Sequence, residues 1–236
     1  MKKMYIIQTV VLLLVFISIQ GKAKNPESAI QDTLKLNLIN PVSQNIQINC
    51  INLHDRIYFI DDLVLTKSDI KRKKLCFFLN KNLIVTDAST EDVCIPLMQY
   101  RNVRPWDFSP ELEEDTYSII NSKCRVYEFI FDDVDSLKDM VAIKLKYRMV
   151  QRDTTQLTSD NKKSIYLKGT EFWYPRNIYR NADVSLLVKT TDQIIFSLNS
   201  KAIVYDREEY LKEYTTAFMD DIEKPAYVIF KKSELK

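Results

Sequence analysis

The sequence predicts an all-β protein, an antiparallel β-sandwich with minimal helix, and three observations carry that expectation. Within residues 45–88, five short runs (NIQINCINL, RIYFI, DLVLT, LCFFL, LIVTDA) are rich in Ile, Val, Leu and Phe and are parted by polar residues at hairpin spacing. Farther on, Val141, Ile143, Leu145 and Tyr147 alternate with Ala142, Lys144 and Lys146, a period of two that gives one buried and one wet face. Many short strands and almost no long amphipathic helix describe two packed layers of sheet.

Taken in order, the chain opens with Lys2 and Lys3 before an apolar run at 5–19, closed by Gly21-Lys22-Ala23. That pattern predicts an export signal cleaved after Ala23. The run is shorter than the roughly 20 apolar residues that span a bilayer, and no cysteine precedes Cys50, which argues against lipid attachment. The expected mature protein is therefore exported, periplasmic or extracellular, without stable membrane insertion. Residues 24–44 read as an N-terminal extension with a short helix start at Asn25-Pro26-Glu27, followed by Ile30 and Leu34. Residues 45–236 read as one domain.

Within that domain His54-Asp55, Asp61-Asp62, Lys71-Arg72-Lys73-Lys74 and Asn80-Lys81-Asn82 are expected turns, because Asn and Asp tolerate the backbone that tight turns need. Residues 96–123 hold Pro96, Pro105, Pro110 and an acidic run around the isolated Trp106, and are expected to form a long loop insertion. Strands follow at 125–131 and 141–147. After a polar stretch at 151–163 come a strand at 165–167, the Trp173-Tyr174-Pro175 corner, and strands at 184–189 and 194–198. In the tail, Asp206 with Glu209 resembles a capping box, and Tyr210, Tyr214 and Phe218 share helical spacing, yet 214–219 also reads as strand and 227–230 as another.

Several chemistries are excluded. His54 is the only histidine, so no site can draw on two imidazoles, and the H-E-x-x-H zinc helix is absent. Gly169 is the only glycine beyond the signal, which removes phosphate-cradling loops. The acids at 111–115, 132–135 and 220–221 are contiguous and read as solvated surface, with a calcium site at 132–135 as the sharper alternative. Losing Lys2, Lys3 and Lys22 with the signal leaves 31 basic against 32 acidic residues, and the lone cluster at 71–74 is no nucleic-acid surface. Cys50, Cys76, Cys94 and Cys124 allow three pairings in an oxidising compartment. A Cys94–Cys124 disulfide is favoured because the two bracket a looped segment, with Cys50 and Cys76 as buried thiols.

The order INCINLHDRIYFIDDLVL, KKLCFFLNKNLIVTDAS, VAIKLKY, FWYPRN, VSLLVKT, IIFSLN, TTAF and KPAYVIF resembles the N-terminal β domain of M1-family zinc aminopeptidases across residues 45–232. The resemblance implies a saddle-shaped β-sandwich and makes 214–219 a strand. Arg176 and Asn177 follow the corner where that family usually carries Cys and Asp, and the family's metal-binding motifs are missing from this sequence.

The expected function is thus that of an exported, non-catalytic β-sandwich, not an enzyme, needing no cofactor and binding a protein or a cell-envelope component. The expected contact surface is the corner of Trp173 and Tyr174 with Arg176 and Asn177, or else the loop of Trp106. Two alternatives stand beside it: the non-catalytic half of a split zinc aminopeptidase, and a carbohydrate-binding module stacking sugars on its tryptophans.

Overall fold

The computed structural model describes residues 35–53, 56–71, 74–91, 93–134, 136–149, 164–191, 193–199, 201–202, 211–221 and 226–232. The export signal, the helix start at 25–27, His54, the polar stretch at 151–163 and the capping-box pair Asp206 and Glu209 lie outside the described residues. Among the described residues the strands form three sheets. The first has the order β1-β4-β7-β6, from Leu36–Leu38, Lys74–Asn80, Cys124–Phe129 and Leu97–Tyr100. The second runs β13-β10-β2-β3-β8-β5, from Leu211–Asp220, Ala182–Thr191, Ser43–Cys50, Tyr58–Thr66, Met140–Met149 and Leu83–Ser89. The third is β12-β11-β14-β9, from Lys201–Ala202, Ile194–Leu198, Tyr227–Lys232 and Ser164–Lys168. Pairing is antiparallel except for β1 with β4 and β2 with β10.

The expected all-β sandwich is what forms. Val141, Ile143, Leu145 and Tyr147 are all buried on β8, as their alternation requires. Residues 214–219 lie within strand β13. All three sheets feed one core: Phe59, Leu63 and Leu145 from the second, Phe77 and Phe129 from the first, Phe196 and Phe230 from the third.

Four expectations need correction. Asp61-Asp62 is no turn; β3 runs unbroken through it, with Asp61 facing the core and Asp62 outward. β4 and β5 form no hairpin, because β4 pairs with β7 while β5 crosses to β8 in the second sheet. The domain reaches back to Leu36, since β1 belongs to the first sheet, so 36–44 is body and not extension. Finally, residues 96–123 are more than a loop: β6 is a strand of the first sheet beside β7, and a 3-10 turn at Pro105–Asp107 and helix α2 at Glu114–Lys123 pack against that sheet. There Phe108, Leu112 and Ile120 meet Cys76, Phe78 and Val126 in a second core. The strand β4 is consequently buried on both faces, Leu75, Phe77 and Leu79 turned to one core and Cys76 and Phe78 to the other. A helix of five residues, α1, spans Lys67–Lys71.

Candidate binding site at the aromatic corner

The corner begins where β9 ends. A 3-10 turn at Gly169–Glu171 delivers Phe172 in a left-handed backbone conformation, φ 54° and ψ 51°. A bulky residue adopts that region only when its surroundings hold it. Here the Phe172 ring lies 5.7 Å from Phe78 in the second core, and its carbonyl accepts the Asn80 N–H at 2.9 Å. The next two side chains turn the other way. Trp173 sits 6.3 Å from Phe59 and 4.4 Å from Tyr174 in the main core. Phe172 and Trp173 thereby pin the corner between two cores.

This placement corrects the expected contact surface. Trp173 is 2% exposed and Tyr174 0%, so neither offers a face to a ligand, and a sugar platform built on them and on buried Phe172 is not available. Trp106 is 54% exposed, with the Arg104 guanidinium 5.5 Å from its ring centroid. The structure does not join the expected Cys94–Cys124 pair in a disulfide: Cys94 is exposed after β5 and Cys124 is buried beside α2.

Beyond Pro175 the chain closes a cavity of about 230 Å³. Arg176, Asn177, Arg180 and Asp183 line one part, and Asn40 and Gln44 another. Its walls are tied together. The Gln44 Nε2 donates to the Pro175 carbonyl at 2.9 Å and to the Asp61 Oδ2 at 2.8 Å. The Asn177 Nδ2 donates to the Ile39 carbonyl at 2.9 Å, while its Oδ1 accepts the Tyr179 N–H at 2.8 Å. Arg176, only 5% exposed, donates from Nη2 to the Asp221 carbonyl at 3.5 Å. Of the corner residues expected at the contact surface, the structure brings Arg176 and Asn177 to this cavity, and Trp106, the alternative, does not line it.

Under Gln44 lies a buried polar group. Burial first, and the neighbouring Asp62 charge after it, holds the Asp61 carboxyl well above its ordinary range, against the opposing hydrogen bond from Gln44. Burial also raises the Tyr147 phenol, helped by Asp61 and Tyr174. The sequence did carry a signal for Asp61: Phe59, Asp61, Leu63 and Leu65 keep one phase on β3. Arg180 and Gln44 had no such signal.

A larger cavity, about 330 Å³, is lined by residues such as Thr90, Val93, Leu137 and Met140. Its charged members, Glu91 and Lys138, are strongly exposed and 4.0 Å apart, an ordinary surface pair. Among the described residues no three of His, Cys, Asp and Glu gather as metal ligands, and no helix is long and apolar enough to cross a membrane.

No protein-family model matches the sequence, and no curated protein matches it. Solved structures do. Native yeast LTA4 hydrolase superposes with a TM-score of 0.51 at 8% identity, covering 84% of this chain and 30% of that one. A mutant M1 zinc metallopeptidase from Deinococcus radiodurans, bound to a Tyr-Ser-Ala substrate, gives 0.50 at 9% identity, covering 82% and 42%. The fold is shared with part of these enzymes. This chain spans well under half the length of either, and at such identities the likeness is one of fold. The expected all-β sandwich is thus a fold that this chain shares with part of these enzymes.

Proposed function

We propose that this protein is an exported, non-catalytic binding module built on an M1 N-terminal-like β-sandwich, with a protein or cell-envelope component as its partner. The supporting observation is the pattern of coverage: most of this chain matches a minor part of the enzymes it resembles. A single histidine in the sequence is consistent with a role in contact and not in zinc chemistry. The surface it presents is the cavity at Arg176 and Asn177, with exposed Trp106 as a separate contact.

The same coverage favours a second reading, in which this chain is the β half of a split peptidase and a separate chain supplies the zinc domain. One experiment divides the two. Affinity purification of the tagged protein from the envelope fraction of its native organism is expected to yield a stoichiometric partner without aminopeptidase activity. A co-eluting zinc peptidase would favour the split enzyme instead. Zinc binding and cleavage of aminoacyl substrates by the purified protein alone would overturn both, and a cytoplasmic, uncleaved protein would remove the export step.

A further inference from the structure

We propose that the cavity beside the aromatic corner takes a carboxylate group, presented by a partner protein as an acidic side chain or a chain end. This rests on the binding-module reading above and names the chemistry of its contact. Among the described residues, the charged side chains lining the cavity are Arg176, Arg180 and Asp183, two cations and one anion. Arg176 is buried in the wall with its guanidinium oriented by the Asp221 carbonyl. Arg180 stands exposed four residues on and has no ion-pair partner among the described residues. A guanidinium is a planar fork of donors that matches a carboxylate in a bidentate pair.

Size and charge narrow the ligand. At about 230 Å³ the cavity is smaller than the roughly 300–1,000 Å³ of pockets that enclose a whole small molecule, which suits a terminal group on a larger partner. Asp183 among the lining residues penalises a dianion more than a monoanion, so phosphate is a poorer fit than carboxylate. The site is also formed in advance. Gln44 holds the Pro175 carbonyl and Asn177 holds Ile39, so no loop must order when the ligand arrives, which lowers the cost of binding.

The test is a titration of the isotope-labelled mature protein, followed by its backbone amide resonances, with propionate, N-acetyl-alanine and sodium phosphate as probes at constant ionic strength. The amides of residues 177–183 are expected to shift and saturate with the two carboxylates, at a Kd on the order of 1 mM, and the response is expected to weaken as sodium chloride is added. Stronger binding of N-acetyl-alanine identifies a chain end, and stronger binding of propionate an acidic side chain. R180E, an exposed substitution checked for folding by circular dichroism, is expected to weaken both about tenfold or more, as loss of a charge-assisted contact does. Absence of shifts with either carboxylate, an unchanged response in R180E, or tighter binding of phosphate would each overturn the proposal. Should a captured partner bind R180E as well as it binds the parent protein, the binding module stands and the pocket assignment falls.

Discussion

Gln44 and Asp61 meet inside the sandwich, the Nε2 of one donating to the Oδ2 of the other at 2.8 Å between strands β2 and β3. The same Gln44 amide reaches the Pro175 carbonyl, so one side chain couples a buried acid to the wall of the candidate site. Removing it leaves a buried carboxyl and a carbonyl without this donor. Gln44→Ala is expected to cost about 1–3 kcal/mol in denaturant unfolding and to broaden the resonances of residues 175–177.

Asp61 sets a pH dependence whose direction follows from burial. Its carboxyl is held above the ordinary value of 3.8, so the folded protein retains a proton that the unfolded chain releases. Stability from this group is whole below 3.8 and is lost as the pH rises through the raised native value. Asp61→Asn stays neutral throughout and keeps an oxygen for Gln44. Its melting temperature relative to the parent is therefore expected to climb between pH 4 and pH 8. A difference that stays flat across that range would refute the assignment.

Phe172 allows a comparison that inverts the usual order of two substitutions. Truncation to alanine forfeits the contact with Phe78 and is expected to cost about 3–5 kcal/mol. Glycine ordinarily destabilises more than alanine, but at φ 54° it removes a left-handed penalty of about 1–2 kcal/mol. Phe172→Gly is expected to unfold at a urea midpoint equal to or above that of Phe172→Ala.

The four cysteines give a count. Cys94 is exposed, whereas Cys50, Cys76 and Cys124 are buried. Burial pushes the Cys50 thiol up to about 12 and raises Cys76 as well, so both stay protonated and unreactive while the protein is folded. A thiol reagent at pH 8 is expected to find one fast group in the native protein and four after denaturation. Cys94→Ser should abolish the fast phase. A protein with no fast group and two mass units missing under non-reducing conditions would contradict that count.

What the residues disclosed, and what they hid, follows from the range of the interactions. Alternation is a local signal, and Val141 through Tyr147 announced β8 and its buried face. The same rule applied to Phe59, Asp61 and Leu63, but two adjacent acids outweighed it, because a buried carboxyl is costly unless other strands accommodate it. Residues 96–123 were read through their prolines and acids. Phe108, Leu112 and Ile120 serve a core whose other half lies on β4 and β7, so their pattern has meaning only once those strands are placed. The cavity was least legible. Gln44 and Pro175 are 131 residues apart, and the parallel pairing of β2 with β10 that brings them together leaves no mark in either segment.

The two tryptophans report separately on the surface and on the core. Trp106 is 54% exposed beneath the Arg104 guanidinium, and Trp173 is 2% exposed against Phe59. Emission of the native protein is expected to be quenched by acrylamide in two components, one accessible and one protected. Trp106→Phe should remove the accessible component and shift the remaining emission to the blue, with little change in stability, since a cation–π contact at an exposed site contributes only about 0.5–1 kcal/mol. Trp173→Phe should leave quenching of the accessible component intact while lowering the unfolding midpoint, because the smaller ring leaves a void between Phe59 and Tyr174. If a captured partner protects Trp106 from acrylamide, the exposed turn at Pro105–Asp107 is part of the interface. If quenching is unchanged in the complex, contact is confined to other surfaces, and the cavity at Arg176 and Arg180 is the one to examine.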